Sequence, residues 1–533
     1  MRIAIAADHT GMAIRDDIAE VIRSAGHDAI VLGKEINGPD DDYPRFAKLV
    51  GDAIAGGRAD RGILICGSGA GVTVAANKLP GVRAALAHDI YTANQMVEHD
   101  FCNVMTLGAR TIDPEPAREF ARAFANAKFS GESRHRRRLG EVIQLEREQH
   151  INPLKELHEA GQSIWLDNIR RTLLSSGTLA RYISRLWVTG LTSNPTIFEH
   201  AIAGSSDYDD AILKRLDRDI STEQLFFEIA LEDIIAAAEL FRPLFEASCG
   251  TDSFVSLEVS PELADDVSRT ISEAKHLHAE AARPNVFIKV PGTKAGIVAV
   301  EELIFTGIPI NVTLLFSREH YLAAAEAYLR GLERRLMAGM NLDVASVASI
   351  FISRWDVASA SKLPEPFRNK LGVAIGQRTF KAFRDLLASQ RWQRLARAGA
   401  RPQRLLWAST GVKNPTLPDT YYVAALAAAQ TVDTIPEATL LAFGLHGKVG
   451  ALLSEDTADA EAVIADIGKA GVDVDILAEQ LQIDGRDSFG NSFAKLLRSI
   501  DTKKATLREA RDRVTERLGP LAISADADRM ADH

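Results

Sequence analysis

Short apolar segments rich in β-branched residues alternate with amphipathic segments along most of the chain, and this alternation restricts the fold more than any other feature. In the first part of the chain, five such segments predict strands at 2–7, 29–33, 62–66, 83–87 and 102–108. Strands that alternate with helices are typical of a parallel sheet covered on both faces. We therefore expect an open, Rossmann-like parallel sheet here, followed by a helix at about 134–148.

The second part of the chain repeats the alternation on a larger scale. Eight segments predict strands at 163–167, 186–192, 254–259, 285–290, 309–316, 344–353, 404–409 and, weakly, 431–434. Eight strands separated by helices are typical of a (β/α)8 barrel, whose active site lies at the carboxyl ends of the strands. The helix breaker Asn152-Pro153 marks the boundary, so we expect domains of residues 1–149 and 150–533, the latter ending in a helical extension.

The composition is ordinary for a soluble globular protein. The 533 residues are 46% hydrophobic and carry a formal net charge of −10, which disfavours nucleic acid and anionic membranes as partners. Cys66, Cys102 and Cys249 are too few and too scattered for a disulfide framework, and they form no CxxC pair for zinc. No signal-peptide core and no bilayer-spanning stretch is found. We expect a cytoplasmic protein.

A glycine-rich turn follows the third predicted strand, which ends at Cys66. The turn consists of Gly67, Ser68, Gly69, Ala70 and Gly71. Backbone N–H groups at such a turn, where a helix begins, form a cradle for an anion. The dinucleotide fingerprint GxGxxG is not matched, because Val72 stands where the third glycine belongs. Taken alone, a tight turn beside a buried cysteine is an equally good interpretation.

Further polar residues follow the same strands. Asp8 and His9 end the first strand, on the same sheet edge as Cys66. Arg134 and Arg138 are four residues apart, so they share a helix face and can clamp one phosphate, although a solvated face is the more usual outcome.

Residues 1–148 resemble ribose-5-phosphate isomerase type B. The matching motifs are ADHTG, DDYP, ICGSGAG, AANK, NVMTLGAR and SRHRRRL. The resemblance implies interconversion of ribose 5-phosphate and ribulose 5-phosphate through an enediolate. Cys66 is then the base, His99 the acid that opens the sugar ring, and the amides of Gly67 to Gly71 stabilise the oxyanion.

The same resemblance implies the remaining ligands of the sugar phosphate. His9, Arg134 and Arg138 hold the phosphate, and Asp8, Tyr43 and Arg110 lie near the sugar. Asp100 departs from the family, which usually has asparagine after the ring-opening histidine, and a carboxylate repels an enediolate. The alternative is therefore an inactive domain that senses sugar phosphates or dimerises. We expect a homodimer through this domain.

In the second part, the segment NVFIKVPGTKAG places Lys289 within an apolar strand. An unpaired buried ammonium costs several kcal/mol, so the residue needs an explanation. One explanation is an ion pair with a carboxylate of a neighbouring strand. The other is a Schiff-base lysine, because apolar surroundings favour the free amine that attacks a carbonyl. Lys294 and Lys413 are rivals, but both stand in polar loops, and Lys413 suits a phosphate ligand better.

Residues from about 150 to the end resemble transaldolase in its longer bacterial form. The matching motifs are WLDNIRR, GLTSNPTIF, VSLEV, NVFIKVPGTKAG, INVTLLFS, VASIFISRWD and LLWASTGVKNP. The resemblance implies a barrel of the class I aldolase type and a Schiff base on Lys289. It further implies transfer of dihydroxyacetone from sedoheptulose 7-phosphate or fructose 6-phosphate to aldose phosphates, with no metal and no cofactor.

The resemblance also assigns the other residues of the barrel site. Asp167 exchanges the proton of the hydroxyl at the cleaved bond, and Glu258 and Thr313 position the water of imine formation. Substrate hydroxyls and phosphate are held by Asn194, Asn311, Arg354, Ser409 and Lys413. Both halves then act on sugar phosphates, as a bifunctional enzyme of the non-oxidative pentose phosphate pathway.

Overall fold

The computed structural model describes residues 1–34, 42–79, 81–148 and 152–518, which form an open sheet followed by a closed barrel. The fold class expected from the sequence is confirmed. The predicted domain boundary between residues 149 and 150 and the polar tail after residue 518 lie outside the described residues.

The N-terminal sheet is wholly parallel in its described pairings and has the strand order β2-β1-β3-β5-β4. Its strands are β1 Arg2–Ala7, β2 Asp28–Val31, β3 Arg61–Cys66, β4 Ala84–Leu86 and β5 Val104–Gly108. Its helices are α1 Met12–Ser24, α2 Tyr43–Ala55, α3 Ala70–Ala76, α4 Ile90–Glu98, α5 Pro114–Asn126 and α6 Ser133–Glu148. Strand β3 is buried on both faces, since Ile63 and Ile65 join one core and Leu64 and Cys66 the other.

Eight parallel strands close the barrel in the order β10-β11-β12-β13-β6-β7-β8-β9. They are β6 Ser163–Asp167, β7 Val188–Thr192, β8 Val255–Glu258, β9 Val286–Pro291, β10 Ile310–Leu315, β11 Ser346–Phe351, β12 Gln403–Ala408 and β13 Val432–Ile435. Each corresponds to one of the eight segments that the sequence predicted, including the weak last one.

Helices cover the barrel strands. They are α7 Pro153–Glu159, α8 Arg171–Ser175, α9 Thr178–Arg185, α10 Pro195–Ala203, α11 Asp209–Leu213, α12 Thr222–Ala247, α13 Val267–Ala281, α14 Lys294–Thr306, α15 Arg318–Met337, α16 Ser353–Ser359, α17 Leu371–Ala388, α18 Gln390–Arg397, α19 Tyr421–Ala425, α20 Glu437–His446, α21 Ala458–Lys469 and α22 Val474–Leu518. Short 3-10 helices are at Pro261–Leu263 and Glu365–Phe367. Within the described ranges, no helix is apolar and long enough to cross a bilayer.

Two features of packing position the sites. Helix α22 packs against α10, and its Phe489 joins the core inside the barrel. Helix α6 of the N-terminal part packs against α9 and α12 of the barrel, where Arg136 pairs with Glu239 at 3.0 Å. The barrel mouth is thus covered by a distant helix, and the two parts of the chain share an interface.

Candidate active sites

A cavity of about 270 Å³ lies at the carboxyl ends of the barrel strands, where the sequence predicted the site. Parallel strands bring their carboxyl ends to one edge, so residues far apart in sequence converge there. The predicted residues that line the cavity are Asp167, Asn194, Lys289, Thr313, Arg354, Ser409 and Lys413. Lys294 instead begins α14 and is exposed, which removes one of the rival lysines.

Lys289 is 5% exposed and its amine has three neighbours. Its Nζ lies 3.0 Å from a carboxylate oxygen of Glu258, donates a hydrogen bond of 3.3 Å to the carbonyl oxygen of Ser193, and lies 5.6 Å from the centre of the Phe489 ring. Glu258 and Lys289 are paired residues of adjacent strands β8 and β9. The ion pair considered from the sequence is therefore present. Lys289 lines the cavity, whereas Glu258 lies behind it and is not among the lining residues.

Two carboxyl groups near Lys289 have raised pKa values. Burial raises the pKa of Glu258, and the charge and hydrogen bonding of Lys289 oppose the rise. Burial also raises the pKa of Asp167, and the positive charges of Lys289, Lys413 and Arg354 oppose this rise. Carboxyl groups with raised pKa values beside a reactive amine are typical of proton-transfer sites.

The three neutral side chains predicted for this site differ in their access to the cavity and in their hydrogen bonds. The Thr313 Oγ1 atom is buried and has no hydrogen-bond partner among the described residues, so it is available to water or substrate. Asn194 lines the cavity while its Oδ1 caps α10, accepting from the Ile197 N–H at 3.0 Å. Asn311 does not line the cavity. It is fully buried, donates to Ser256 at 3.2 Å and accepts from Ser349 at 2.7 Å.

Basic and hydroxyl side chains form part of the cavity lining. The Arg354 guanidinium lies between two rings, 4.9 Å from the centre of Phe351 and 5.7 Å from the centre of Phe489. The Ser409 Oγ lies 3.0 Å from the Ser353 Oγ, and Lys413 completes the wall. Arginine, hydroxyl and lysine donors in one cavity wall are suited to a phosphate group.

Ten residues that line the cavity were not singled out from the sequence, Phe489 among them, and neither was the buried Asp433. Phe489 comes from α22, and in the sequence it is indistinguishable from any apolar residue of an amphipathic helix. Asp433 is fully buried on β13, and burial, with the charge of Asp167 adding to it, raises the pKa of Asp433 to about 8 against a hydrogen bond from Thr410. The sequence of the short strand around Asp433 gives no indication that Asp167 lies near it.

A second cavity, of about 350 Å³, lies at the carboxyl ends of β1 and β3. Predicted residues that line it are Asp8, His9, Tyr43, Cys66, Gly67, Ser68, Gly71 and Arg110. The register brings these strand ends to one edge, since Ala7 pairs with Ile65 and Cys66 with Gly108.

The turn after Cys66 has the conformation expected of an anion cradle. Cys66 is 4% exposed and its Sγ accepts a hydrogen bond of 3.2 Å from the Gly69 N–H. Gly69 has a φ of +78°, which favours glycine, and α3 begins directly afterwards at Ala70. A Cβ at Gly71 would lie 2.8 Å from the Tyr43 ring, so only glycine lets the turn approach that ring. The Asp8 carboxylate accepts from the Thr10 N–H and hydroxyl at 2.9 and 2.6 Å, which orders the adjoining loop.

Four predicted residues of this site lie elsewhere in the same copy of the chain. His99 and Asp100 precede β5, whose amino end is fixed beside β3 by a 2.9 Å hydrogen bond from Gly62 to Asn103. Arg134 and Arg138 lie in the first turns of α6, and the His135 ring between them stacks on His99 with a 3.9 Å centroid distance. His99 therefore lies near the amino ends of β3 and β5, whereas Cys66 lies at the carboxyl end of β3. The two ends are one strand length apart, about 13 Å at about 3.3 Å per residue.

The edge that carries His99 bears several charged side chains. Burial and the neighbouring His99 ring lower the pKa of His135, with Arg134 and Arg138 contributing. The His135 ring is also within 2.6 Å of the Ser130 hydroxyl. Arg134, Arg138 and Asp100 are exposed. Among the described residues, no group of three or more His, Cys, Asp or Glu side chains is placed to hold a metal ion.

Comparison with known proteins assigns each part of the chain to a described family. Residues 164–500 match the family model for transaldolase/fructose-6-phosphate aldolase, and residues 3–142 match that for ribose/galactose isomerase. A transaldolase of Parafrankia is 42% identical over 357 residues, which cover 65% of this chain and 97% of that protein. A transaldolase of Neisseria gonorrhoeae is 44% identical over 345 residues, which cover 64% of this chain and 98% of that protein.

Solved structures match the N-terminal part. Trypanosoma brucei type B ribose 5-phosphate isomerase is 43% identical, with 26% of this chain and 95% of that chain covered and a TM-score of 0.26. Mycoplasma genitalium ribose-5-phosphate isomerase B with bound ribulose-5-phosphate is 38% identical, with 28% of this chain and 97% of that chain covered and a TM-score of 0.27. The two family-model matches fall separately on the two parts of the chain that hold the two cavities.

Proposed function

Because the chain belongs to the transaldolase/fructose-6-phosphate aldolase family and carries a ribose/galactose isomerase domain before its barrel, we propose that it catalyses two reactions on sugar phosphates. The C-terminal domain, residues 150–533, which contains the barrel, transfers dihydroxyacetone between sugar phosphates. The N-terminal domain, residues 1–149, interconverts ribose 5-phosphate and ribulose 5-phosphate. Both reactions belong to the non-oxidative pentose phosphate pathway, and the proposed location is the cytoplasm.

The observation that carries the barrel reaction is the 3.0 Å contact between Glu258 and Lys289, whose side chain lines the same cavity as Asp167. Proton transfer from Lys289 to Glu258 leaves a free amine, which adds to the ketone carbon of fructose 6-phosphate or sedoheptulose 7-phosphate. Loss of water then gives an imine on Lys289. The unpartnered hydroxyl of Thr313 and the Glu258 carboxyl hold the water that enters and leaves.

Cleavage of the carbon–carbon bond follows from the imine. Asp167 accepts the proton of the hydroxyl on the carbon beyond the bond, the bond electrons move to the imine nitrogen, and an aldose phosphate leaves. The three-carbon unit stays on Lys289 as an enamine, which attacks the carbonyl of a second aldose phosphate, and Asp167 returns the proton. Arg354, Ser409 and Lys413, which line the same cavity, supply the donors for the substrate phosphate.

In the N-terminal domain, Cys66 is the proposed base. It stands where α3 begins, beside the backbone amides of the turn from Gly67 to Gly71. The thiolate removes the proton from the carbon next to the carbonyl of the open-chain sugar, and the amides stabilise the enediolate oxygen. Transfer of the hydroxyl proton from the oxygen on C2 to the enediolate oxygen on C1, and return of the carbon-bound proton to C1, complete the conversion of the aldose to the ketose.

We further infer that this site is completed by a second copy of the chain. Within one copy, His99, Arg134 and Arg138 lie at the sheet edge opposite Cys66, so the ring-opening acid and the phosphate clamp are out of reach. An apolar surface adjoins the Cys66 turn and is open to a partner. Its residues are Val74, Leu86, Ile90 and Tyr91, which are 62%, 36%, 51% and 64% exposed.

Mixing two variants that each lack one side of the site tests this arrangement. Cys66→Ala has lost the base but keeps the edge with His99, and the double variant Arg134→Ala with Arg138→Ala has lost both phosphate donors but keeps the Cys66 turn. If sites are shared between copies, refolding the two variants together restores ribulose 5-phosphate isomerisation, because a mixed dimer holds one intact site. If the wild-type chain is an active isomerase but the mixture of variants regains no activity, each site lies within one copy of the chain. Absence of isomerase activity in the wild type favours the alternative, an active transaldolase with a sugar-phosphate-sensing or dimerising domain.

A further inference from the structure

The segment that carries His99 is anchored in the barrel. Phe101, two residues after His99, is 5% exposed and belongs to the hydrophobic core formed by the barrel strands and their helices. A Cβ at Gly177, where α9 begins, would lie 3.3 Å from the Phe101 ring, so the ring packs directly on the backbone there. The aromatic side chain therefore crosses from the isomerase domain into the transaldolase domain.

The backbone at Phe101 is held in an unusual conformation. Its φ is +55°, in the left-handed region that non-glycine residues seldom adopt, so surrounding contacts must compensate the strain. Its carbonyl oxygen accepts a 3.1 Å hydrogen bond from Arg83, whose guanidinium also lies 5.8 Å from the ring centre. Phe129 packs edge-on against the ring at 5.0 Å. These contacts fix the chain directly after His99.

The barrel also holds the other neighbour of His99. The His99 ring stacks on His135 of α6, and α6 packs against α9 and α12. Leu139 and Ile143 of α6 are 6% and 3% exposed and belong to the same barrel core as Phe101. Phe101 and helix α6, which hold the His99 ring in place, thus both pack against the barrel.

We propose that Phe101 is a positioning residue of the isomerase, through which the transaldolase barrel holds the ring-opening acid His99 in place. The inference rests on the proposed isomerase function. Misplacing a catalytic group by about 1 Å can lower a rate about 100-fold, so loss of the anchor is expected to be visible in the ring-opening step.

The chemistry of the two substrates isolates that step. Cyclic ribose 5-phosphate opens when the ring oxygen gains a proton, the bond between that oxygen and the aldehyde carbon breaks, and the hydroxyl on that carbon loses a proton. Ribulose 5-phosphate is already open, because the oxygen that would close its five-membered ring carries the phosphate. A misplaced His99 therefore slows the reaction from ribose 5-phosphate more than the reaction from ribulose 5-phosphate.

The test compares Phe101→Ala with Phe120→Ala in the full chain. Phe120 is 7% exposed in the core of the isomerase sheet, so it controls for general loosening of that domain. Transaldolase activity of each variant reports whether the barrel is folded, and Phe101→Leu, which keeps an apolar anchor, is the variant to use if Phe101→Ala does not fold. Saturating rates are measured from both pentose phosphates.

For Phe101→Ala, we expect the ratio of the rate from ribose 5-phosphate to that from ribulose 5-phosphate to fall about tenfold or more. Phe120→Ala is expected to keep the wild-type ratio, and Phe101→Leu to lie between. An unchanged ratio in both Phe101 variants, or an equal fall in Phe120→Ala, overturns the positioning role while leaving the isomerase function intact. A wild-type chain that isomerises neither substrate overturns the proposed function instead.

Discussion

The Lys289 Nζ lies 3.0 Å from a Glu258 carboxylate oxygen across adjacent strands, and the two side chains are only 6% and 4% exposed. Desolvating two charges is unfavourable unless geometry and further hydrogen bonds compensate, so such a pair is weak evidence for a stabilising role. Here the lysine of the pair lines a cavity that Asp167, a second carboxyl group, also lines. The pair is explained better by chemistry, because it gives the amine a proton acceptor at contact distance.

Glu258→Gln should therefore lower the kcat of the transaldolase reaction roughly 100-fold, since the amide cannot accept the lysine proton and general acid–base catalysis contributes about 100- to 10,000-fold. The KM for the ketose phosphate should change much less. The matched control is Glu262→Gln, four residues along the chain and exposed. Equal kcat values for the two variants, measured by steady-state kinetics, would show that Glu258 takes no part in proton transfer.

Asp433→Asn should change the pH dependence of stability. Burial raises the pKa of Asp433 to about 8, whereas an unfolded chain has aspartate near pKa 3.9. Folded protein keeps a proton that unfolded protein releases between these values, so wild-type stability falls as pH rises from about 4 to about 8, by at most about 1.4 kcal/mol per pH unit. Asparagine does not titrate.

The stability advantage of Asp433→Asn over wild type should thus grow between pH 5 and pH 8 and level off above. Urea unfolding followed by tryptophan fluorescence measures it, because all 5 tryptophans lie in the barrel part of the chain. An advantage that is the same at both pH values would mean that Asp433 is ionised throughout.

Cys66→Ala should abolish interconversion of ribose 5-phosphate and ribulose 5-phosphate and leave transaldolase activity nearly unchanged, because the two cavities share no lining residue. The matched control is Cys249→Ala, since Cys249 is exposed and belongs to neither cavity. Both activities of each variant are assayed on the intact chain. Residual isomerisation in Cys66→Ala would require another base.

Arg138→Ala should mainly raise the KM for the pentose phosphates, by about tenfold or more, because one charge-assisted hydrogen bond to phosphate contributes about 1.5–3 kcal/mol. Arg137→Ala is the control, since Arg137 stands on the same helix and pairs with Glu141 at 3.3 Å. If both variants keep the wild-type KM, the basic start of α6 is only a solvated face.

The alternation of apolar segments was enough to predict the fold, because strands buried on both faces must be apolar and their connections must be helical. Polar residues at the strand ends were predictable for the same reason. The Lys289 environment was predicted only in part, since a strand pattern shows that a lysine is buried but not that Glu258 of the adjacent strand faces it. The role of Phe489 could not be predicted, because it depends on long-range packing. Phe489 reaches the cavity from α22, which is far from Lys289 in the sequence.

The N-terminal site shows a second limit of sequence analysis. Motif order suggested that Cys66, His99 and Arg138 belong together, but the strand register places His99 and Arg138 at the other sheet edge within one copy. A linear sequence does not distinguish residues that meet within one chain from residues that meet between two. The sequence also gave no sign that Phe101 packs on the barrel, because a single aromatic residue before a strand does not indicate what it will contact.

Reductive trapping tests the central claim, that Lys289 forms the imine, most directly. Borohydride added with fructose 6-phosphate should fix a dihydroxyacetone unit on the chain, and peptide mapping by mass spectrometry should place it on Lys289. Lys289→Met should lose both the adduct and the transaldolase reaction while the isomerase activity persists. An adduct on Lys294 or Lys413, or none under conditions where wild type turns over, would contradict the account.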